Sequence, residues 1–531
     1  MINRKSPWYP LTLARFRPFW TAGAVTNLAI WMQTVGAAWI MAGLSDSAWM
    51  VSLVQTAITL PVFLCGLPGG VIADLVDRRR WLLFTQSLML FAAFSLFALM
   101  VSGYLTPWAL LGLTFLLGIG SALNMPAWMA ATLTLIPRDV VPSAVALNAV
   151  STNVARAVGP AIAGLLIAAV GQSAVFFVIA LCFFGVTLFL LCWQEQQPVV
   201  TLPPETLFGG MRSGLRYIRH SRELTSSLTQ VFVFTSCASS LWALLPLIAK
   251  ERLSMAADGY GLLMGALGLG AVLAALNLPR LYRDFALRKL IVGGVVLFAL
   301  ATAGAALLKS AWAVWLVLVA AGMAWMAVNA TASTIVQTCA ADWVRARVAS
   351  VYLLMYMGAM ALGGFLWGIV AEATGLQMSL LVSSVAMLAG LWITRRGIFV
   401  LGSEADYRVI AQADKVMVAT AVAHSDGPVS VETVYRAIPS VRADFLRIAY
   451  AVGKSRRRNG ARNWRLYRDL ADPDRYVERF IVESWLDYLR QRERVTQADR
   501  QIELGLSGYI DPGVVSTRRY ISQSAQDTSD K

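Results

Sequence analysis

Long apolar runs separated by short, arginine-bearing connections dominate the first three quarters of the chain. Twelve runs reach the ~20 residues needed to cross a hydrocarbon core of roughly 30 Å: about 19–41, 48–73, 81–102, 107–131, 143–169, 173–193, 225–249, 259–278, 290–308, 311–338, 347–371 and 376–394. In lipid every backbone N–H and C=O needs an internal partner, so segments of this length are predicted as helices. After Arg396 the pattern changes. A linker over 397–427 ends at Gly427-Pro428, and Val429, Val431, Thr433 and Tyr435 then alternate as a strand. Val441, Phe445, Ile448 and Val452 recur at helical spacing, two short strands follow near 464–468 and 477–482, and a helix is expected from Ser484 through Arg492.

That β-α-β-β-α order predicts a small cytoplasmic α+β domain of ferredoxin-like type over 428–505, appended to an all-α membrane part. Residues 506–531 include a final stretch rich in Ser, Asp and Gln, and are expected to be mostly disordered.

Composition agrees with this division. Of 531 residues 57% are apolar and 14% charged, with a mean hydropathy of +0.61, which excludes an ordinary soluble globular protein. Residues 1–396 hold 24 Lys and Arg with 12 Asp and Glu; residues 397–531 hold 21 and 18. The net charge of +15 therefore comes mainly from the loops of the membrane part, and nucleic acid is not expected as a partner. Five scattered cysteines and two histidines, His220 and His424, offer no metal-ligand spacing, so neither a metal nor a cofactor is expected. The basic N-terminus leading into a full-length span reads as a retained signal anchor.

Alternate connections carry the positive charge: Arg78 to Arg80, Arg138, Arg212 to Arg222, Arg280 to Lys289, Arg345 with Arg347, and Arg395 with Arg396. The opposite side has only Lys250, Arg252 and Lys309. The positive-inside rule then predicts a multi-pass protein of the inner (plasma) membrane with both termini cytoplasmic. The chain also repeats at an offset of about 203 to 205 residues: Arg17 answers to Arg222, and Arg138-Asp139-Val140-Val141 to Ala341-Asp342-Trp343-Val344. Two pseudo-symmetric six-helix halves, 1–193 and 225–396, are expected on either side of a cytoplasmic linker, 194–224. Phe208, Met211, Leu215 and Ile218 recur there at helical spacing opposite Arg212, Arg216 and Arg219, the pattern of an amphipathic helix on the inner membrane surface.

With twelve spans, a six-plus-six repeat and Gly70-Val-Ile-Ala-Asp74-Leu-Val-Asp77-Arg78-Arg79-Arg80 after span 2, the chain resembles the major facilitator superfamily. The resemblance is specifically to its enterobactin-exporter-like branch, also called transmembrane secretion effectors. Leu75 replaces the basic residue usual in that loop motif. Trp20 and Trp39 in span 1, Pro61 and Pro68 in span 2, and Asn153-x-x-Arg156-x-x-Gly159-Pro160-x-x-x-Gly164 in span 5 extend the likeness. The resemblance implies an exporter with proton antiport as its expected coupling, and a Gly-Pro in span 5 similar to the antiporter motif. It also implies that the tail is similar to dimeric α/β-barrel domains, hence a homodimer through the C-terminal domain; Tyr488 and Arg492 occupy the positions usual for imidazoles in the oxygenases among them.

Arg156 is the one charge placed near the middle of a span, about 20 Å along its helix. A charge there costs at least roughly 2.5 to 3.5 kcal/mol unless it faces a cavity or a partner. It is read as an anchor for an anionic or phenolic group, with binding to helix carbonyls as the structural alternative; Arg cannot itself carry the coupling proton. Asn148, Thr152, Arg156 and Gly159 form one polar stripe, whereas the repeat counterpart of Arg156 is Ala359. Candidate substrate-binding residues are Arg156, Asn153, Gln33, Asn329, Gln337 and Tyr356, supported by Thr26, Asn27, Thr34, Asn124, Gln230, Trp325, Ser333 and Tyr352. Each of them singly is also explained by interhelical hydrogen bonds. Gly70, Asp74, Asp77, Arg78 and Arg79 are candidate gating residues or, more plainly, a topology signal. Gly159, Pro160 and Gly164, with Ala155 and Ala163, form a helix-packing seam. The acids nearest the membrane, Asp46, Asp74, Asp139 and Glu372, all lie at span ends, so the proton carrier has no assignment.

The function expected is alternating-access export of a small amphipathic molecule, anionic or phenolic, such as a siderophore or drug. Its partners would be that substrate and membrane lipid. The alternative is a membrane-tethered enzyme or sensor acting through the tail.

Overall fold

The computed structural model describes residues 8–137, 140–193, 207–341, 343–402, 422–423 and 425–522, without the side chains of several of them. It divides into two compact units.

The larger unit comprises 1–203, 228–332 and 352–396. Its helices begin with α1 (Phe16–Leu44), α2 (Ala48–Leu75), α3 (Arg78–Val101), α4 (Pro107–Thr134), α5 (Val141–Val170) and α6 (Gln172–Cys192). After the short linker helix α7 (Leu207–Arg219) come α8 (Arg222–Leu247), which ends in a π-helical turn over Ile248–Arg252, α9 (Ala257–Asp284), α10 (Leu287–Leu307), α11 (Ala311–Thr338), α12 (Arg345–Thr374) and α13 (Leu376–Thr394). Among the described residues, twelve helices are long and apolar enough to cross a membrane.

Local chemistry sets their ends. The Ser47 hydroxyl accepts from Met50 N–H to start α2, the Asp77 carboxylate accepts from Arg80 N–H to start α3, and Thr106 precedes Pro107 and accepts from Ala109 N–H to start α4. The α5–α6 and α12–α13 joints each turn on a glycine with positive φ, Gly171 at 109° and Gly375 at 87°, at equivalent places in the sequence repeat. Phe19, Leu82, Ala127, Val186, Leu190 and Trp193 form a buried cluster joining α1, α3, α4 and α6, in which Trp128 stacks on Phe19 at 4.3 Å.

The second unit gathers 204–227, 333–351 and 397–531. A four-stranded antiparallel sheet, β1 (Val429–Arg436), β2 (Arg462–Arg468), β3 (Arg475–Val482) and β4 (Ser516–Ile521), has the order β2-β3-β1-β4. Helices α14 (Arg442–Asn459), α15 (Trp485–Glu493) and α16 (Gln497–Leu506) lie between strands along the chain. Val429, Val431, Phe480, Val482, Trp464 and Trp485 pack in one core cluster. Glu478 is buried within that core, accepting from the Tyr435 hydroxyl at 2.6 Å and Trp464 Nε1 at 2.7 Å, with Arg456 Nε at 3.7 Å. Burial, together with the adjacent Glu478 carboxylate, pushes the Tyr435 hydroxyl well above its usual range and keeps it a donor.

Two expectations are corrected. The Gly70–Asp74 stretch is helical rather than loop, because α2 continues to Leu75. The segment 506–531 contains β4, which extends the domain to residue 521: pairing with the β1 edge supplies the hydrogen bonds that its polar sequence, Ser-Thr-Arg-Arg-Tyr-Ile, does not advertise. The linker helix expected from the sequence is α7, and two of its apolar stripe residues differ in exposure. Ile218 is 6% exposed whereas Leu215 is 59% exposed, and Tyr217 is fully buried.

The burial of Tyr217 is explained inside this unit. Its hydroxyl lies 3.5 Å from the Cys339 carbonyl and 3.4 Å from Ala341 N–H, and Trp343 meets its ring edge to face at 5.7 Å. The tail covers the same residues: the Arg458 guanidinium lies over Tyr217 at 5.4 Å and that of Arg494 over Trp343 at 4.2 Å. Arg212 reaches Glu483 at 3.1 Å. Linker helix, α11–α12 loop and tail domain thus share one aromatic and arginine core. Most of the 397–427 linker and the first part of the 194–224 linker lie outside the described residues, as do the side chains of Phe208 and Met211.

Candidate functional site

Arg156 projects from α5 toward α1, and its guanidinium lies 5.2 Å from the centroid of the Trp31 ring. Its Nε is buried and, among the described residues, has no hydrogen-bond partner. The carbonyl-bound alternative is therefore not what the geometry displays for that atom. Tyr356 on α12 lies within electrostatic reach of the same guanidinium.

Behind Tyr356 stands an aromatic wall. Trp325 of α11 meets the Tyr356 ring at 6.0 Å, Trp242 and Phe234 of α8 at 5.3 and 5.7 Å, and Phe298 of α10 at 5.9 Å. Tyr352 stacks against Tyr356 at 6.4 Å and donates its hydroxyl to the Asn329 carbonyl at 3.1 Å. A forked cation over an indole beside several aromatic faces can hold a planar, electron-rich or anionic group: the guanidinium supplies charge and directed N–H donors, and the rings supply apolar area at little conformational cost.

The other candidates divide by position. Asn329 is buried, donates to the Trp325 carbonyl at 3.0 Å and keeps an unpaired Oδ1 among the described residues, next to the aromatic wall. Asn153 donates to Ala149 of its own helix at 2.8 Å. Gln33 donates to Thr114 at 3.4 Å and joins α1 to α4. Gln337 is turned to Ser333 on its own helix, at 3.1 Å, in the segment of α11 that belongs to the second unit. Thr26 and Asn124 are used structurally: Gln86 donates to Thr26 at 3.1 Å and Asn124 to Thr85 at 2.9 Å.

The packing residues face two different neighbours. A Cβ on Gly159 would stand 2.8 Å from Trp31 Cβ, so this glycine brings α1, and with it the Trp31 ring, against Arg156. One on Gly164 would stand 2.6 Å from the Ala257 carbonyl oxygen and 3.1 Å from Gly261 Cα, so Gly164 brings α9 against α5. The Pro160 carbonyl oxygen lies on the same α9 contact, 2.8 Å from a Cβ placed on Gly261.

At the end bearing Arg78 to Arg80, Asp77 caps α3 and Arg79 donates from Nε to the Leu190 carbonyl at 3.2 Å and from Nη2 to that of Leu191, closing the C-terminus of α6. Gly70 and Asp74 lie on the last turns of α2, and the side chain of Asp74 is outside what the structure describes. Trp31, Trp242, Phe234 and Phe298 were not legible as site residues: an aromatic in an apolar span has no periodicity that separates cavity from core.

Among the described residues, twelve helices apolar enough to span a membrane and a half-buried arginine beside an aromatic wall have the make-up of a solute carrier, and the comparisons with known proteins give the same class. The chain belongs to the transmembrane secretion effector family of the major facilitator superfamily, whose profile matches residues 5–527. Among curated relatives, the staphyloferrin A transporter of Staphylococcus aureus is 22% identical, covering 70% of this chain and 93% of that protein. The multidrug efflux pump Tap of Mycolicibacterium fortuitum is 26% identical over 71% and 93%, and the enterobactin exporter EntS of Salmonella typhimurium 26% over 52% and 67%. A crystal structure of the nucleoside transporter NupG superposes with a TM-score of 0.55 at 13% identity over 72% of this chain and 98% of that one. That of a bacterial homologue of the lysosomal transporter Spinster gives 0.57 at 16% over 74% and 98%.

Proposed function

We propose that this transporter exports a small amphipathic molecule carrying an anionic or phenolic aromatic group, of the siderophore or drug type, by alternating access coupled to proton antiport. The observation that carries the reading is Arg156, whose Nε has no partner among the described residues and whose guanidinium lies on Trp31, within electrostatic reach of Tyr356 and its aromatic wall. Relatives named for siderophore and drug transport support the cargo class.

The same reading includes two six-helix halves, supported by the sequence repeat and by the matching glycine joints at Gly171 and Gly375. It includes cytoplasmic termini, supported by the charge asymmetry of the loops. The tail is read as a ferredoxin-like plait, supported by its antiparallel strand order, and as the contact of a homodimer through the sheet face that carries Glu432, Val434, Val477 and Arg479. Asp77 and Arg79, which fasten the ends of α3 and α6, are read with Gly70, Asp74 and Arg78 as parts of the cytoplasmic gate.

The test is uptake into inside-out proteoliposomes with an imposed pH gradient, using a catechol siderophore and a cationic dye as separate probes. Gradient-dependent accumulation of the catechol supports the reading. Accumulation of the dye alone removes the anionic cargo, and accumulation without regard to the gradient removes the antiport. Sedimentation of the full chain beside a chain ending at Arg396 checks the dimer: equal molar mass per chain in both would remove it.

A further inference from the structure

Of the three cations that stand against the charge gradient of the loops, Lys250, Arg252 and Lys309, two are spent on helix ends. Lys250 Nζ donates to the Ala42 carbonyl in the last turn of α1. Arg252 Nε donates to the Leu308 carbonyl at the end of α10, at 3.2 Å. Where α1 gives way to α2, a second charge arrives from the later half of the chain. Glu372 Oε2 accepts from the Ser47 hydroxyl at 3.0 Å and from Trp49 N–H at 3.2 Å, at the N-terminus of α2. A cation at a helix C-terminus and an anion at a helix N-terminus each meet the favourable end of the macrodipole.

The Glu372 contact ends a continuous seam. Gly364, Gly368 and Glu372 recur every four residues on α12. A Cβ on Gly368 would stand 1.7 Å from Ser52 Oγ, and one on Gly364 3.1 Å from Thr56 Oγ1, while Thr56 donates to the Ala361 carbonyl at 3.0 Å. The backbones of α2 and α12 therefore approach as closely as glycine permits. One to two turns along α1 and α2 from the Ala42 and Trp49 contacts, Thr34, Ala38, Val51 and Gln55, with Trp242 of α8 and Tyr260 of α9, line a cavity of about 10 Å³, room for one water.

We propose that Lys250 and Glu372 form a two-charge latch that caps the facing ends of α1 and α2 and holds this end of the bundle shut. This rests on the alternating-access reading: releasing the latch is the step that opens the path past Thr34 and Gln55. Each charge contributes more when the end is closed, because only then does it reach the other half's helix terminus; its loss shifts the population toward the open state.

The test uses the full chain with its five cysteines replaced by serine and Thr34→Cys as reporter. A membrane-impermeant thiol reagent is applied to right-side-out and to inside-out vesicles, so the result does not depend on the orientation assumed. Glu372→Gln and Lys250→Met are each expected to raise the labelling rate at least threefold from the side opposite Arg78 to Arg80, and the pair to raise it further. Labelling at the parent rate in both single variants and the pair would overturn the latch, and so would a rise only from the Arg78 to Arg80 side. Should Glu372→Gln fail to insert, Ser47→Ala removes a partner of the same carboxylate and the same rise is expected. Labelling needs no transport: a rise in a chain that moves none of the cargo probes leaves the latch standing and removes the exporter reading instead.

Discussion

The guanidinium of Arg156 lies 5.2 Å above the ring of Trp31, and its buried Nε has no partner among the described residues. A charge held by a π-face keeps its directed donors available. Arg156→Ala is therefore expected to abolish export, and Arg156→Lys to leave a remnant, because a point charge replaces a fork. Trp31→Leu removes a contact of about 1 kcal/mol and should weaken cargo affinity roughly fivefold. Flux and probe binding in proteoliposomes check all three; normal export by a stably inserted Arg156→Ala would remove the anchor.

Gly164 and Gly261 bring α5 and α9 into backbone contact. Gly164→Val should force them apart and cost about 1–3 kcal/mol, seen as a lowered unfolding temperature in detergent. Gly185, on α6 with nothing within 4 Å of a Cβ, is the control: Gly185→Val should leave the unfolding temperature near that of the parent.

Tyr217 and Trp343 are covered by Arg458 and Arg494. Tyr217→Ala should loosen the linker helix from the α11–α12 loop and from α14 together, raising trypsin cleavage at Arg216 and Arg219 several-fold. Cleavage at the parent rate would show that these contacts do not hold the helix.

Asp499 is almost fully buried, and it pairs with Arg458 and accepts from Asn459 and from Thr496 N–H. Burial alone would raise its pKa; Arg458 and these hydrogen bonds outweigh that and hold it below the ordinary carboxylate value of 3.8. With the folded value depressed, its stabilisation is complete above about pH 3.8 and is lost as pH falls through the folded value. Asp499→Asn should destabilise the tail domain by about 3 kcal/mol at neutral pH, since the buried carboxylate charge that faces Arg458 is removed. The variant should also lack this part of the acid sensitivity. Hydrogen exchange of the β1 and β3 amides in the full chain, at pH 7 and below 4, measures both.

Asp77 illustrates how a residue read from a motif takes its role from local geometry. Its carboxylate caps α3, and Asp77→Ala should cost about 1 kcal/mol and slow turnover without altering probe affinity. Unchanged turnover would leave it a helix cap alone.

The sequence by itself determined the spans and the presence of a separate α/β tail. An apolar run long enough to cross lipid has few alternatives to a helix, and the alternating positions of Val429 to Tyr435 read directly as a strand. It also singled out Arg156, because a charge in the middle of a span is costly enough to demand a reason. It did not reveal β4, whose polar residues are ordered by pairing with β1, nor the burial of Tyr217, whose partners Cys339, Ala341 and Arg458 lie far along the chain. Only the tertiary structure decided which polar residues approach Arg156. Gln33, Asn124 and Asn329 belong to stripes of the same appearance, and each donates to a neighbour, Thr114, Thr85 and the Trp325 carbonyl, whereas it is Trp31 that lies under the charge and Tyr356 that falls within its electrostatic reach. Helical spacing fixes which residues share a face. What that face meets depends on the neighbouring helices, and here on where Gly159, Gly164, Gly364 and Gly368 let two backbones touch.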